Sequence, residues 1–250
     1  MCISIVLFFH QFRCKLQDCG ELRTLGSLEK QRTDWMDASG DLKRAKDYGN
    51  VVNKPMFAST PETLVLDILP PPELHLLIGP VNTIFSAMAK EWPGAAEWAV
   101  ACHVQKEDYH GGSFNGNACR ALLLKSDLLR SMCPFFCLKY VEVFRAFKCV
   151  VDSCYGTELS ADFEDRIHEF RHAFNALEIN VTPKIHAVFH HIPQFCLKYA
   201  TGLGRHSEQA SESVHAHFKS TWAKYKVNQS HPDYAARLLR AVKEFNCSHL

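Results

Sequence analysis

Three of the 14 histidines lie close together within residues 182–193, at His186, His190 and His191. Neutral imidazole is a common zinc ligand, and two histidines with three to five residues between them form half of many structural zinc sites. On a helix, His186 and His190 would share a face, whereas His186 and His191 suit an irregular helix end. The spacing predicts a structural zinc site, with ordinary surface or core histidines as the alternative. A zinc peptidase is disfavoured because Ala187 stands where such enzymes carry a glutamate base.

A closed structural zinc site needs four ligands, and cysteine thiolates are frequent partners of histidine. The most suitable pair by type is Cys14 with Cys19, which would tie the N-terminal segment to the histidine helix. Their C-x4-C spacing differs from the usual half-site. Cys133 and Cys137 form a weaker candidate pair, and cysteines in other apolar segments fit small buried side chains. The 11 cysteines are odd in number and scattered, so no disulfide framework is predicted.

Carboxylates and histidines recur between residues 202 and 218. Glu208 and Glu212 are four residues apart, and Glu212, His215 and Lys219 would lie along one ridge of a helix. A carboxylate beside a histidine is a pattern that divalent-metal sites use. Glu208 alone also suits the positive end of a helix. Glu212, in the second turn, is explained less well by that electrostatic role and is the stronger candidate for chemistry.

Basic side chains surround both motifs, and they are candidate contacts for the phosphates of DNA. We predict Arg205, Lys219 and Lys224 as the DNA-binding residues. A net charge of +1 makes a solvated helical face the alternative. The same near-neutral charge excludes a strongly basic or strongly acidic tail as the main feature of the chain. The wider basic group also contains Lys184, Lys198 and Lys226.

The composition is that of an ordinary globular protein. The 250 residues are 47% hydrophobic and 22% charged, which suffices for a buried core without disulfides. The apolar run at residues 2–9 is much shorter than the roughly 20 residues of a transmembrane helix. It also lacks the basic start and the cleavage site of a secretory signal. We therefore predict an intracellular protein with no membrane partner.

Helical periodicity dominates the chain, so the predicted fold class is mainly α. β-Branched residues favour one or two strands within residues 1–20, and residues 37–63 have the composition of an irregular connection. Thr182 followed by Pro183 has the capping hydroxyl and the proline that are typical of a helix start. The predicted helices cover residues 22–36, 74–88, 95–104, 118–132, 135–154, 160–177, 182–199, 207–225 and 232–245.

Three segments together resemble the catalytic subunit of the V(D)J recombinase and its Transib-like transposase relatives. Residues 115–123 are similar to the family's NGN-x-x-R-x-L stretch, and His186 with His191 match its H-x4-H zinc pair. Residues 212–218 are similar to its E-S-x-N-x-x-F segment, which carries the third catalytic carboxylate. The resemblance is ordered along the chain and covers roughly residues 14–225.

The family's architecture is an RNase H-like DDE core interrupted by a long helical, zinc-binding insertion. The resemblance therefore implies a helical insertion and zinc-binding region followed by the last helices of such a core. By this resemblance, residues 1–60 hold an N-terminal strand, a cysteine-bearing segment and a linker. Residues 61–178 correspond to the helical insertion domain. Residues 179–250 correspond to the C-terminal helices that carry the histidine pair and the glutamate.

The resemblance also implies functional assignments. Structural Zn²⁺ would be held by Cys14, Cys19, His186 and His191, and Glu212 would be the catalytic carboxylate. Its chemistry would use Mg²⁺ if the other carboxylates were supplied. The implied partners are DNA and a second copy of the chain as a homodimer, and the implied location is the nucleus.

Three departures from the family pattern limit the implied activity. Leu16 stands where a C-x2-C pair would need a cysteine, and His215 stands where the family has asparagine. The family's first two catalytic aspartates lie upstream of its cysteine pair, and two-metal phosphoryl chemistry needs several carboxylates. We therefore expect an incomplete, transposon-derived DDE recombinase or transposase that does not cleave DNA alone.

Two other classes of function stay open at this stage. One is a non-enzymatic helical zinc-binding module, or a module that interacts with proteins or DNA. The other is an independent metal-dependent hydrolase that uses His190, His191, Glu208 and Glu212. The second is disfavoured because the sequence offers no evident nucleophile and base for it.

Overall fold

The computed structural model describes residues 22–54, 60–107, 112–207 and 209–247, with the backbone alone for 209–213, 215 and 216. The structure is 68% helical, and the described ranges contain no strand, which confirms the prediction of a mainly α fold. Thr24 and Leu64 form an isolated antiparallel bridge. The strands predicted within residues 1–20 lie outside the described residues.

Helices follow one another along the described chain with short connections. Short 3₁₀ helices lie at Leu42–Tyr48, Phe135–Cys137 and Leu203–His206. Among the described residues, none of the helices has the length and apolar character that crossing a membrane requires. In chain order the α-helices are α1 (Leu25–Asp37), α2 (Val65–Ile68), α3 (Glu73–Glu91), α4 (Ala95–Ala101), α5 (Gly116–Leu124), α6 (Ser126–Met132), α7 (Leu138–Cys154), α8 (Phe163–Asn175), α9 (Pro183–Tyr199), α10 (Gln209–Ala223) and α11 (Tyr234–Cys247).

Polar side chains explain where several helices begin. Thr24 Oγ1 accepts the backbone N–H of Ser27 at 3.1 Å, and the Ser27 hydroxyl oxygen accepts the backbone N–H of Thr24 at 3.1 Å. This reciprocal capping box starts α1. Thr182 Oγ1 accepts the backbone N–H of Ile185 at 3.4 Å, and Pro183 occupies the first position of α9. The predicted start of the histidine helix is therefore confirmed.

Helix α3 contains a proline, Pro80, in its interior. Because proline has no N–H, the Leu76 carbonyl one turn earlier loses its helical hydrogen bond. The Tyr155 hydroxyl, just after α7, donates to that carbonyl at 3.2 Å. A buried carbonyl without a partner is costly, so this bond both repairs α3 and fixes the end of α7 against it.

Aromatic side chains hold α9 against the helices that precede it. Phe189 of α9 packs against Phe170 and Phe174 of α8, with ring centroids 5.5 and 5.8 Å apart. Phe170 in turn lies 4.8 Å from Phe147 of α7. Buried aromatic pairs of this kind contribute about 1 kcal/mol each beyond the area they bury. They fix the inner face of α9 among apolar side chains.

Two predicted elements differ from the structure. The helix predicted over 118–132 is divided into α5 and α6 at Lys125, whose carbonyl accepts the Trp98 indole N–H at 3.4 Å. The Lys125 ammonium donates to the Cys102 carbonyl at 3.0 Å. These contacts with the end of α4 stabilise the break. The connection predicted to be irregular over 37–63 contains the 3₁₀ helix at Leu42–Tyr48.

The chain divides into two compact units, Met1–His206 and Ser207–Leu250. Helix α9 belongs to the first unit because it packs on α3 and α8, where the Phe189 ring is buried. The domain division that the family resemblance implies, with residues 179–250 grouped together, stays a prediction.

The second unit is a pair of helices, α10 and α11. Phe218 packs edge-on against Phe245, and Trp222 packs edge-on against Tyr234, each with ring centroids 5.7 Å apart. Ala241 of α11 is fully buried. These contacts form a small apolar seam within the pair.

Candidate metal centre

His186 is the most unusual polar side chain in the described part of the chain. It is 2% exposed, and neither of its ring nitrogens has a hydrogen-bond partner among the described residues. Burial lowers the pKa of His186 to about 4, with smaller contributions from His190 and from the Arg171 cation of α8. The ring is therefore neutral at physiological pH, the form in which imidazole binds a metal.

His191 lies beside it and is fully buried. Its Nδ1 is 2.8 Å from Oε1 of Gln194. If Nδ1 donates to this oxygen, the buried Nε2 carries the lone pair, which is the arrangement that outer-shell partners impose on metal-binding histidines. Burial lowers the pKa of His191 to about 4, against the opposing effect of the Gln194 hydrogen bond.

The two rings are spaced as two ligands of one metal ion would be. Their centroids lie 5.1 Å apart with an interplanar angle of 66°. Tetrahedral zinc with Zn–N bonds of roughly 2.0–2.1 Å places two imidazole centres about 5 Å apart. His190 is only half-buried, and its ring lies 4.7 Å from that of His186. Burial and Arg171 lower the pKa of His190 as well.

The predicted cysteine ligands, Cys14 and Cys19, lie outside the described residues. Within the ranges that are described, no three histidine, cysteine or acidic side chains form a group that could hold a metal. The weaker pair, Cys133 and Cys137, therefore has no third ligand there. The histidine half of the predicted site is brought together by α9, and the cysteine half stays a prediction.

In the segment that resembles NGN-x-x-R-x-L, the main residues have structural roles. Asn115 Oδ1 accepts the backbone N–H of Ala118 at 2.9 Å and so caps α5. A Cβ atom at Gly116 would lie 2.6 Å from Cδ1 of Leu74, so glycine permits close packing on the start of α3. Arg120 reaches the carboxylate of Glu73 at 2.9 Å.

Sequence reasoning missed Asn82, which positions this segment. Its amide nitrogen donates to the Phe114 carbonyl at 3.1 Å, and its amide oxygen accepts the Phe114 N–H at 2.9 Å. The residue therefore pairs with loop backbone much as a neighbouring strand would. A polar residue inside the otherwise apolar periodicity of α3 was the available signal.

The glycine turn after α9 packs on the loop after α7. A Cβ atom at Gly202 would lie 2.1 Å from the Gly156 carbonyl oxygen. Gly204 N–H donates to that same oxygen at 3.0 Å. The turn therefore needs glycine, because a larger residue would clash with the neighbouring backbone. The turn and the ion pair between Lys198 and Asp67 together hold the end of α9 in place.

The other predicted site residues are distributed over both units. Glu212 belongs to α10, but its side chain is outside the described part, as is all of Glu208. Arg205, in the first unit, and Lys219, in the second, are exposed. Lys224 pairs with Glu244 of α11 at 2.6 Å. Much of the charge that Lys224 could offer to a phosphate is therefore offset by Glu244.

Most of the cysteines that were predicted to be small buried side chains are buried in the structure. Cys102, Cys119 and Cys196 are buried, whereas Cys149 is half-buried. Burial raises the pKa of Cys119 to about 12. A thiol held neutral in this way is a poor nucleophile, so Cys119 serves packing in the core beside Arg120.

No family model matches this sequence, and no curated protein matches it.

Proposed function

We propose that this chain is a zinc-binding helical part of a DDE-type recombinase or transposase of the V(D)J recombinase and Transib-like family. In this proposal it is transposon-derived and catalytically incomplete, and its helices correspond to the insertion and the last helices of an RNase H-like core. Zinc ties the cysteine-bearing segment around Cys14 and Cys19 to α9 through His186 and His191. The proposal rests on the ordered resemblance and on the histidine pair.

The observation that carries the zinc proposal is the buried, neutral His186 ring. A buried polar group without a hydrogen-bond partner costs about 1–3 kcal/mol. A zinc ion would provide that partner for one ring nitrogen, and the His191 ring lies beside the His186 ring, with centroids 5.1 Å apart. Thiolates from Cys14 and Cys19 would balance the charge of the ion beside Arg171, which a pair of neutral histidines could not do alone.

For the DNA-directed part of the proposal, we assign Glu212 as the one carboxylate that matches the family's catalytic set. Arg205 and Lys219 are exposed cations able to contact DNA phosphates. Mg²⁺ chemistry would need further carboxylates, because one side chain does not position two divalent ions.

Elemental analysis of the purified full chain tests the metal. We expect about one zinc per chain in the wild type and less than about 0.2 in His186→Ala and Cys19→Ala, because a site with three ligands holds structural zinc far more weakly. The matched control is His168→Ala, which removes an exposed histidine from α8. A wild type without zinc, or a loss of zinc in the control, would contradict the proposal.

A nicking assay tests the proposed incompleteness. With Mg²⁺ or Mn²⁺ and a plasmid substrate, we expect no nicking that depends on Glu212, so the wild type and Glu212→Gln should give equal backgrounds. Nicking that disappears in Glu212→Gln would show that the chain carries a complete catalytic centre. Zinc without any DNA binding would favour the non-enzymatic zinc module.

A further inference from the structure

His186 has two histidine neighbours in α9, and their surroundings differ. The His190 ring lies 4.7 Å from the His186 ring, and the His191 ring lies 5.1 Å from it. Both separations suit two imidazoles on one zinc ion, whose ring centres are about 5 Å apart. Ring spacing alone therefore does not decide which of the two histidines would bind zinc together with His186.

Arg171 of α8 lies on the side of His190. Its guanidinium carbon is 5.8 Å from the centroid of the Phe189 ring, which packs edge-on against His190 with centroids 6.5 Å apart. Burial and then the Arg171 charge lower the pKa of His190. At His191, burial is supplemented instead by the charges of the two other histidines. Because a cation repels a metal ion, the His191 side of His186 is the more favourable position for zinc.

Gln194 distinguishes His191 a second time, through a hydrogen bond to its ring. Gln194 follows His191 by three residues, and helical side chains lean toward the N-terminus, so its amide reaches back to the imidazole. Oε1 of Gln194 lies 2.8 Å from Nδ1 of His191. A carboxamide oxygen only accepts hydrogen bonds, so Nδ1 carries the proton and donates it. Nε2 then carries the lone pair that a metal requires.

Burial and this hydrogen bond fix the His191 ring before any metal binds. His191 is fully buried, whereas His190 is half-buried and its ring is less confined. A ligand that is already held in place loses less conformational entropy on binding, which favours His191. Gln194 is also neutral, so it orients the ring without adding charge to the site.

We propose that Gln194 is the positioning residue that makes His191, rather than His190, the zinc ligand beside His186. The inference rests on the proposed zinc function, and it adds the residue that selects the ligand pair and the nitrogen that binds. Gln194 acts through the His191 ring and does not itself touch the metal. Removal of such an outer-shell partner typically weakens metal binding by about 10–100-fold.

Competition with a chromophoric chelator measures the zinc affinity of the full chain and tests the selection. We expect Gln194→Met, which keeps the side-chain length but removes the acceptor, to bind zinc about 10–100-fold more weakly than the wild type. Gln194→Glu keeps an acceptor for Nδ1 and should stay within about threefold of the wild type. The matched control, His190→Gln, should also change the affinity by less than about threefold.

Nitrogen-15 NMR of the metal-free full chain gives a readout that a merely structural role would not change. The chemical shifts of the His191 ring should show a proton on Nδ1 in the wild type and in Gln194→Glu. In Gln194→Met the proton should move toward Nε2, because the acceptor that holds it on Nδ1 is gone.

The possible contrary results separate this inference from the zinc proposal. A wild-type His191 with its proton on Nε2 would overturn the inference, because Gln194 would then not set the tautomer. Equal zinc affinity in the wild type and Gln194→Met, or a loss in His190→Gln as large as in His186→Ala, would also overturn it and leave the zinc proposal intact. A wild type that binds no zinc would refute the proposed function and this inference together.

Discussion

Arg120→Ala is expected to lower the free energy of unfolding by about 1–2 kcal/mol, less than for a fully buried ion pair because the Arg120 side chain is 42% exposed. The Glu73 side chain is only 4% exposed, and Arg120 contacts its carboxylate at 2.9 Å. Removal of the guanidinium leaves a buried carboxylate with less compensation for the water it has lost. Equilibrium urea unfolding, followed by far-ultraviolet circular dichroism, measures the change.

The chain offers a matched control for this experiment in Arg130→Ala. Arg130 also pairs with a glutamate, Glu142, but the two side chains are 54% and 58% exposed, so the loss should be below about 0.5 kcal/mol. The double variant Glu73→Gln, Arg120→Ala should lose less stability than Arg120→Ala alone, because no charge stays buried. Equal losses for Arg120→Ala and Arg130→Ala would refute the structural role of Arg120.

This result also bears on the resemblance to the recombinase family. Arg120, in the segment that resembles NGN-x-x-R-x-L, could contact DNA or stabilise the fold, and the sequence does not separate these roles. The contact between Arg120 and Glu73 favours folding. A large loss of stability in Arg120→Ala would mean that the segment marks a structural junction between α3 and α5, independent of any catalytic function.

Local chemistry made much of the helical fold predictable. Thr182 and Pro183 mark the start of α9 because capping and proline geometry act within a few residues. Contacts between distant residues explain what could not be predicted. The break at Lys125 depends on Trp98 and Cys102, and α3 continues past Pro80 because Tyr155 donates to the carbonyl that the proline leaves free.

The candidate site also depends on contacts between distant residues that the local sequence does not reveal. Spacing identified His186 and His191 as a pair, but spacing does not reveal burial. Their burial depends on the packing of α9 against α3 and α8, through aromatic contacts such as that of Phe189. Conversely, Phe135 and Phe136 belong to an apolar sequence that resembles the core-facing part of a helix, and only the fold shows them on the surface.

Acidification should destabilise the metal-free protein well before its carboxylates titrate. His186 and His191 have an ordinary pKa of 6.5, and burial lowers each to about 4 in the folded chain. Below pH 6.5 the unfolded chain therefore binds protons that the folded chain does not, so stability falls as the pH falls. Allowing for partial access of water, we expect a loss of about 2 kcal/mol between pH 6.5 and about 5.

The loss of stability between pH 6.5 and about 5 comes from the histidines and not from acidic groups such as Asp67. Asp67 has an ordinary pKa of 3.8, and hydrogen bonds from Lys198 and Tyr199 lower it against the opposing effect of burial. A carboxylate with a lowered pKa contributes stability above its ordinary pKa and loses it only as the pH falls further. Its contribution is therefore constant between pH 6.5 and about 5.

Urea unfolding in the presence of a chelator, repeated at several pH values, measures the histidine effect. His186→Gln should flatten the dependence by less than half, because His191 and His190 also have a lowered pKa and are still present. The exposed His168→Ala variant should keep the wild-type slope. A wild type whose stability is constant down to pH 5 would mean that the two rings are hydrated or already protonated in the folded chain. The pair would then lack the burial on which its assignment as half of a zinc site rests.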